Sequence, residues 1–328
     1  MFILKIIAIS VVIPMVIAVG LVLSQTPVTL TGKGGLDFSE VGERRTVNIL
    51  PRLSVPMRDG VNLGVSHVAA LSPDAPLLIL IHGSGWHGMQ FNQLASDLSD
   101  TAEILIPDLR GHGENPVRRG DVDYIGQLED DIADLVRARA KPGQKVILGG
   151  HSSGGGLVVR FAGGANGDLI DGAVLLAPFL KYNAPTTRQS SGGWARVLTR
   201  RLIGLSMLNM AGIKALNHLT VIQFQMPKNV LDGPLGHTAT TAYSYRMNTS
   251  FAPRNDYLAD IAKLPDFLLV TGTNDEAFFA DQYQPLMSEN TGNGQYHLVE
   301  GVSHLGIVDA PETQVQMRAF INGIIRGN

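Results

Sequence analysis

Cysteine is absent from the 328-residue sequence. That excludes disulfides, thiolate nucleophiles, cysteine-ligated zinc and iron–sulfur clusters. It leaves the compartment open, since periplasmic and cytosolic proteins alike can lack cysteine. Charge is scarce as well. Charged residues are 17% of the chain, and 26 basic against 29 acidic side chains give a net charge of −3, which argues against a nucleic-acid binder at the whole-chain level. A polar, disorder-prone composition is also lacking: hydrophobic residues reach 45%, enough for a sizeable core. The length accommodates one large domain, or one domain with an insertion. Glycine, by contrast, is plentiful at 37 residues, and where it falls carries information.

One long hydrophobic run lies at the N-terminus. Positions 6 to 23 are apolar except for Ser10, and Lys5 is the only charge before them. A membrane-spanning helix needs about 20 apolar residues, with about 17 as the lower limit, whereas the apolar stretch of a signal peptide runs to about 7–15. Residues 1–24 therefore read as a single membrane anchor, with the rest of the chain on the periplasmic or extracytoplasmic side. Ala18 and Gly20 could serve a cleavage site, so a secreted, signal-cleaved form is the alternative. The orientation signal is thin, because Lys33, Arg44 and Arg45 stand on the far flank. A core helix is disfavoured, since the run has no polar face. The globular part begins near residue 40.

Downstream, strand-like and helix-like segments alternate. Leu77-Leu78-Ile79-Leu80-Ile81, Ile104-Leu105-Ile106, Val146-Ile147-Leu148, Ala173-Val174-Leu175-Leu176, Phe267-Leu268-Leu269-Val270 and Tyr296-His297-Leu298-Val299 read as six strands. Most are continuous apolar runs, as in strands covered on both faces. Residues 91–98 and 315–325 read as helices, and 124–139 sets Ile125, Leu128, Ile132, Leu135 and Val136 at helical spacing. This alternation predicts the α/β class, a mostly parallel sheet with helices on both faces. Residues 40–180 and 256–328 form its two parts. Between them, 181–255 shows no clear buried strand and reads as a largely helical cap over the C-terminal edge of the sheet, where ligands bind in such folds. The cap holds nine basic side chains against Asp232 alone, a surplus of eight, so the remainder carries −11 within the total of −3.

Gly150-His151-Ser152-Ser153-Gly154 fits G-x-S-x-G directly after a strand and before the apolar segment of Leu157, Val158, Val159 and Phe161. In that context the serine sits on a tight strand-to-helix turn with its Oγ projecting into a cleft. An incidental serine in a glycine-rich turn is the competing reading, and the flanking elements weigh against it. Serine needs an adjacent base, and in this chain order an acid and then a histidine should follow. Asp275, after the fifth strand, and His304, after the sixth, are the candidates; Glu276 is the rival for the acid. His151 is discounted, because a neighbour on the elbow should point elsewhere, and His297 reads as a packed strand residue. An oxyanion needs backbone donors, assigned here to the N–H groups of Ser153 and Ser84, the latter in the loop His82-Gly83-Ser84-Gly85. No cofactor or metal is called for.

With Asp108-Leu109-Arg110-Gly111-His112-Gly113 added, these motifs resemble the α/β-hydrolase fold family, and within it the monoacylglycerol lipase, lysophospholipase and S33 serine aminopeptidase group, over roughly residues 55–325 outside the cap. The resemblance implies a serine hydrolase and leaves Arg110 and His112 to shape a loop. Members of the group act on substrates from lipids to peptides, so the fold alone does not decide the substrate. The scarcity of acids in the cap argues against binding a substrate amine. Met207 and Met210 would suit an acyl chain, or simply pack the cap down. Basic residues beside that segment suit an anionic membrane surface, although a charge run is more often a solvated face. The expected reaction is cleavage of a carboxylic ester, lipid-like or small. An aminopeptidase or amidase is the alternative, and a non-catalytic binding module is the remaining one.

Overall fold

The computed structural model describes residues 2–32, 35–38 and 49–327. Lys33, Arg44 and Arg45, which bore on membrane orientation, lie outside the described residues. In chain order the strands are β1 (Arg52–Pro56), β2 (Asn62–Val68), β3 (Leu77–Ile81), β4 (Glu103–Pro107), β5 (Val146–His151), β6 (Gly172–Leu176), β7 (Ala195–Val197), β8 (Thr220–Phe224), β9 (Ala242–Ser244), β10 (Phe267–Gly272) and β11 (Gly294–Val299). The helices are α1 (Phe2–Leu23), α2 (Asn92–Asp97), α3 (Gln127–Arg139), α4 (Ser153–Gly163), α5 (Thr199–Met210), α6 (Lys228–Leu231), α7 (Tyr245–Phe251), α8 (Tyr257–Ile261), α9 (Tyr283–Ser288) and α10 (Pro311–Arg326).

Eight strands form one sheet in the order β1-β2-β4-β3-β5-β6-β10-β11. From β4 to β11 the pairings are parallel. All five residues of β3, β4 and β6 are buried, which is why these strands read as unbroken apolar runs rather than alternating ones. Two strands, β1 and β2, join antiparallel at one edge. Their mixed burial left no apolar run to find in the sequence. Helices α3, α4 and α10 are amphipathic, with Leu128, Ile132, Leu135, Leu157, Phe161, Phe320 and Ile321 buried against the sheet core. The chain connects β5 to β6 through α4, so the elbow after β5 opens at the C-terminal edge of the sheet beside the ends of β10 and β11.

The cap differs from expectation in composition. Alongside α5 to α7 it contains a three-stranded antiparallel sheet, β7-β8-β9. Strands of three and five residues give too little periodicity to be seen locally.

The reading of residues 1–24 as an anchor or signal is corrected. Among the described residues, no helix is long and apolar enough to cross a membrane. Helix α1 instead packs on α5: Ala18 and Val22 are buried with Leu205, Leu208, Val221 and Tyr245 in a small cluster of their own. Gly204 makes that approach possible, since a Cβ there would lie 2.5 Å from the Ala18 carbonyl oxygen. Arg201 donates to the Val22 carbonyl, and the Arg200 N–H to Gln25 Oε1, which ties the end of α1 to the start of α5. Val12, Val16 and Leu23, on the other side of α1, are exposed.

Candidate active site

The turn between β5 and α4 places Ser152 at φ 55°, ψ −121°, a region that costs a non-glycine residue about 1–3 kcal/mol. Its N–H donates to the Leu176 carbonyl at 2.9 Å, and its own carbonyl accepts from the N–H groups of Phe179 at 2.9 Å and Gly156 at 3.1 Å. The motif glycines are required by contact. A Cβ on Gly150 would sit 2.4 Å from the Gly154 carbonyl carbon, and one on Gly154 2.2 Å from the Ile81 carbonyl oxygen. Helix α4 can start hard against the end of β3 only because neither residue has a side chain.

Asp275 follows β10 and His304 follows β11. Their side chains meet with His304 Nδ1 2.8 Å from Asp275 Oδ2. The other carboxylate oxygen accepts from the N–H groups of Ala277 and Phe278, each at 2.8 Å. Asp275 is 2% exposed and His304 1%. Ionised Asp275 only accepts, so it selects the tautomer with the proton on Nδ1 and leaves Nε2 free to take a proton. Glu276, the rival acid, does a different job: Oε2 accepts the His304 backbone N–H at 2.8 Å and Oε1 the Asp37 N–H at 3.1 Å. It holds the main chain of the histidine, not the imidazole.

Ser152 and His304 line one small cavity together with Ser84, His151 and the apolar side chains of Leu36, Phe38, Trp86, Trp194 and Met226. Its volume is about 20 Å³, room for about one water molecule. In this form the cap and the segment carrying Phe38 lie closed over the serine. Phe38 packs on both tryptophans, at centroid distances of 6.2 Å from Trp86 and 5.7 Å from Trp194. Sequence reasoning missed Leu36, Phe38 and Trp194, because nothing local links them to the elbow. His151, set aside as the base, contacts His304 instead. Its ring lies 4.6 Å from that of His304, and its Nε2 is 2.9 Å from the His304 carbonyl oxygen. It therefore helps to seat the proposed base. A larger cavity of about 350 Å³, lined by Arg52, Asp108, Arg110 and Arg118, contains none of Ser152, Asp275 and His304.

On the expected oxyanion loop, the Gly83 N–H donates to Gln90 Oε1 at 3.3 Å and the Gly85 N–H to Tyr243 Oη at 2.7 Å. Both neighbours of Ser84 are thus engaged, while the N–H groups of Ser84 and Ser153 have no acceptor among the described residues. His82 is buried and its form is set: Nδ1 donates to the Gly83 carbonyl at 2.8 Å, and Nε2 accepts the Leu109 N–H at 3.1 Å. Burial holds its pKa below the usual histidine range. Arg110 forks onto Asp131 with two 2.8 Å bonds and reaches Asp59 at 2.9 Å, shaping the loop as the resemblance implied.

Two expectations about the cap change. Met210 is 86% exposed and does not line the cavity; Met226 is the methionine that does. Part of the basic surplus is tied into the fold. Arg246 pairs with Asp121, Arg254 with Glu129 and Asp260, and Lys228 with Asp232. Lys181 donates to the Pro253 and Arg254 carbonyls, and Arg188 to those of Asp275 and Phe278. A charge count along the chain registered Arg246 and Arg254 but not their partners Asp121, Glu129 and Asp260 outside the cap.

The sheet order, the strained serine turn and the Asp275–His304 pair after β10 and β11 define an α/β-hydrolase. The chain belongs to the family described as serine aminopeptidase, S33, which matches residues 72–310. Human monoglyceride lipase is 26% identical, over 52% of this chain and 57% of its own length. The proline iminopeptidase PfmaB of Pestalotiopsis fici is 42% identical, over 27% of this chain and 32% of its own. An uncharacterized protein of Mycobacterium bovis is 28% identical over 28% of its length. The chain thus spans 28% to 57% of the length of these relatives. Among solved structures, the monoacylglycerol lipase of Paleococcus ferrophilus superposes with a TM-score of 0.58 at 20% identity, over 81% of this chain and 99% of that one. A thermophilic esterase from Thermogutta terrifontis gives 0.57 at 17% identity, over 84% and 99%. At these identities the likeness is one of fold. Family and fold together place the chain among the α/β-hydrolases.

Proposed function

We propose that the chain cleaves a carboxylic ester, small or lipid-like, through an acyl-enzyme on Ser152. The observation that carries this is the buried Asp275–His304 pair, whose histidine lines one small cavity with Ser152 on its strained elbow. In the proposed reaction His304 Nε2 takes the Ser152 proton as Oγ attacks the ester carbonyl. The N–H groups of Ser84 and Ser153 hold the oxyanion, and His304 returns the proton to the departing alkoxide. Water then attacks the acyl-enzyme by the same route and releases the acid.

The preference for an ester rests on the cavity wall. Among the described lining residues there is no carboxylate to hold a substrate amine, while Phe38, Trp86, Trp194 and Met226 offer apolar surface. The name of the human relative, a monoglyceride lipase, is consistent with such a substrate. A fluorophosphonate should label the wild type and not Ser152→Ala, and p-nitrophenyl acyl esters should be turned over faster than aminoacyl anilides. Equal labelling of the two proteins would overturn the nucleophile assignment. Faster anilide cleavage would overturn the substrate class in favour of an aminopeptidase.

A further inference from the structure

We propose that Tyr243, on cap strand β9, is a positioning residue for the reaction: it fixes the Gly85 peptide and through it the Ser84 N–H aimed at the oxyanion. This inference rests on the ester-hydrolase reading above.

The hydrogen bonds around Tyr243 allow only one direction. The Gly85 N–H donates to Tyr243 Oη at 2.7 Å, so the hydroxyl proton must go elsewhere. The acceptor in reach is His112 Nε2 at 2.6 Å, and His112 Nδ1 lies 3.0 Å from the Arg110 carbonyl oxygen, to which it can only donate. The chain therefore runs from Gly85 N–H through the Tyr243 hydroxyl and the His112 ring to the Arg110 carbonyl. Burial keeps both rings uncharged, holding the His112 pKa well below the usual range and raising that of Tyr243. Each link is thus available over the whole neutral range.

The cap grips Gly85 from its other side too. The Thr240 N–H donates to the Gly85 carbonyl at 3.0 Å, and Trp194 Nε1 to Ser84 Oγ at 3.3 Å. Gly85 has φ +78°, and a Cβ there would lie 3.2 Å from the Trp194 ring. The oxyanion loop is therefore shaped by the cap, with β9 itself tied to the core through Ser244 N–H to the Gly120 carbonyl at 2.9 Å. Seating the cap and assembling the oxyanion donor become one event.

Tyr243→Phe keeps the ring and its contacts with Phe224 and Phe251 but removes the hydroxyl. Losing an oxyanion donor outright costs about 10²–10³ in rate; displacing one should lower kcat on a short p-nitrophenyl ester by about tenfold or more, with KM little changed. A boronic acid that forms a tetrahedral anion on the serine should bind more weakly by the same factor, while the product carboxylate binds as before. His112→Asn should give the same pattern, and the double variant no further loss, as for two links of one chain; this variant also serves if Tyr243→Phe fails to fold. An unchanged kcat, a loss confined to KM, or additive losses would each overturn the role of Tyr243 while wild-type turnover and serine labelling stand. Absence of wild-type turnover and labelling would instead bring down the hydrolase reading, and this inference with it.

Discussion

Replacing Asp275 with asparagine tests the charge logic of the site at constant shape. In the wild type Oδ1 accepts two backbone N–H groups and Oδ2 faces His304 Nδ1. An asparagine can keep its oxygen on the two backbone donors or turn it to the imidazole. Turning it would set the amide NH₂ against the N–H groups of Ala277 and Phe278, leaving two buried donors unpaired at about 1–3 kcal/mol each. The oxygen therefore stays, and the NH₂ donates to His304 Nδ1. That forces the proton onto Nε2, where it blocks acceptance of the serine proton. The analogous exchange in a serine protease lowers kcat by about 10⁴, and a loss of that order is expected here on a p-nitrophenyl ester near neutral pH. Because the hydrogen-bond count is preserved, KM and melting temperature should change little. The assay is steady-state kinetics beside a thermal melt, with Ser152→Ala as the inactive reference. A kcat within about tenfold of wild type would refute the claim that Asp275 sets the tautomer of His304.

Three further outcomes follow from the geometry. His82 and His112 are buried with pKa values lowered by burial; the unfolded chain binds protons below about pH 6.5 and the folded chain does not, so stability should fall by up to about 1.4 kcal/mol per pH unit for each ring as pH drops from there. Urea midpoints that stay flat from pH 7.5 to 5 would contradict this. Gly154→Ala should destabilise the fold by about 1–3 kcal/mol or more, because its Cβ would lie 2.2 Å from the Ile81 carbonyl oxygen; a melting temperature equal to wild type would contradict it. Phe38→Ala should open the small cavity and lower KM for longer acyl esters while leaving acetate turnover near wild type, and a chain-length profile that does not move would show that Phe38 is no wall of the acyl site.

How much of this was legible along the chain depended on the range of the forces involved. Strands β3, β4, β5, β6 and β10 could be read because burial on both faces demands uninterrupted apolar residues. The serine elbow could be read because its tight approach to β3 admits only glycine at 150 and 154. Asp275 and His304 could be proposed from their places after β10 and β11. The choice between Asp275 and Glu276 could not, since both follow β10 and only the returning chain shows which one meets the imidazole and which the backbone. The contact of His151 with His304 could not be read, because the two lie 153 residues apart. The N-terminal helix was misread because composition alone does not reveal what an apolar face packs against, and here part of it finds Leu205 and Leu208. The pairing of Arg246 and Arg254 with Asp121, Glu129 and Asp260 was invisible along the chain. Local periodicity and glycine placement thus determined the parallel part of the sheet and the tight turn that carries Ser152. Partnership across long stretches of chain, in ion pairs, ring contacts and the clamp of Tyr243 on Gly85, was decided only by the tertiary structure, because a hydrogen bond or contact depends on proximity in space and carries no mark in the sequence on either side.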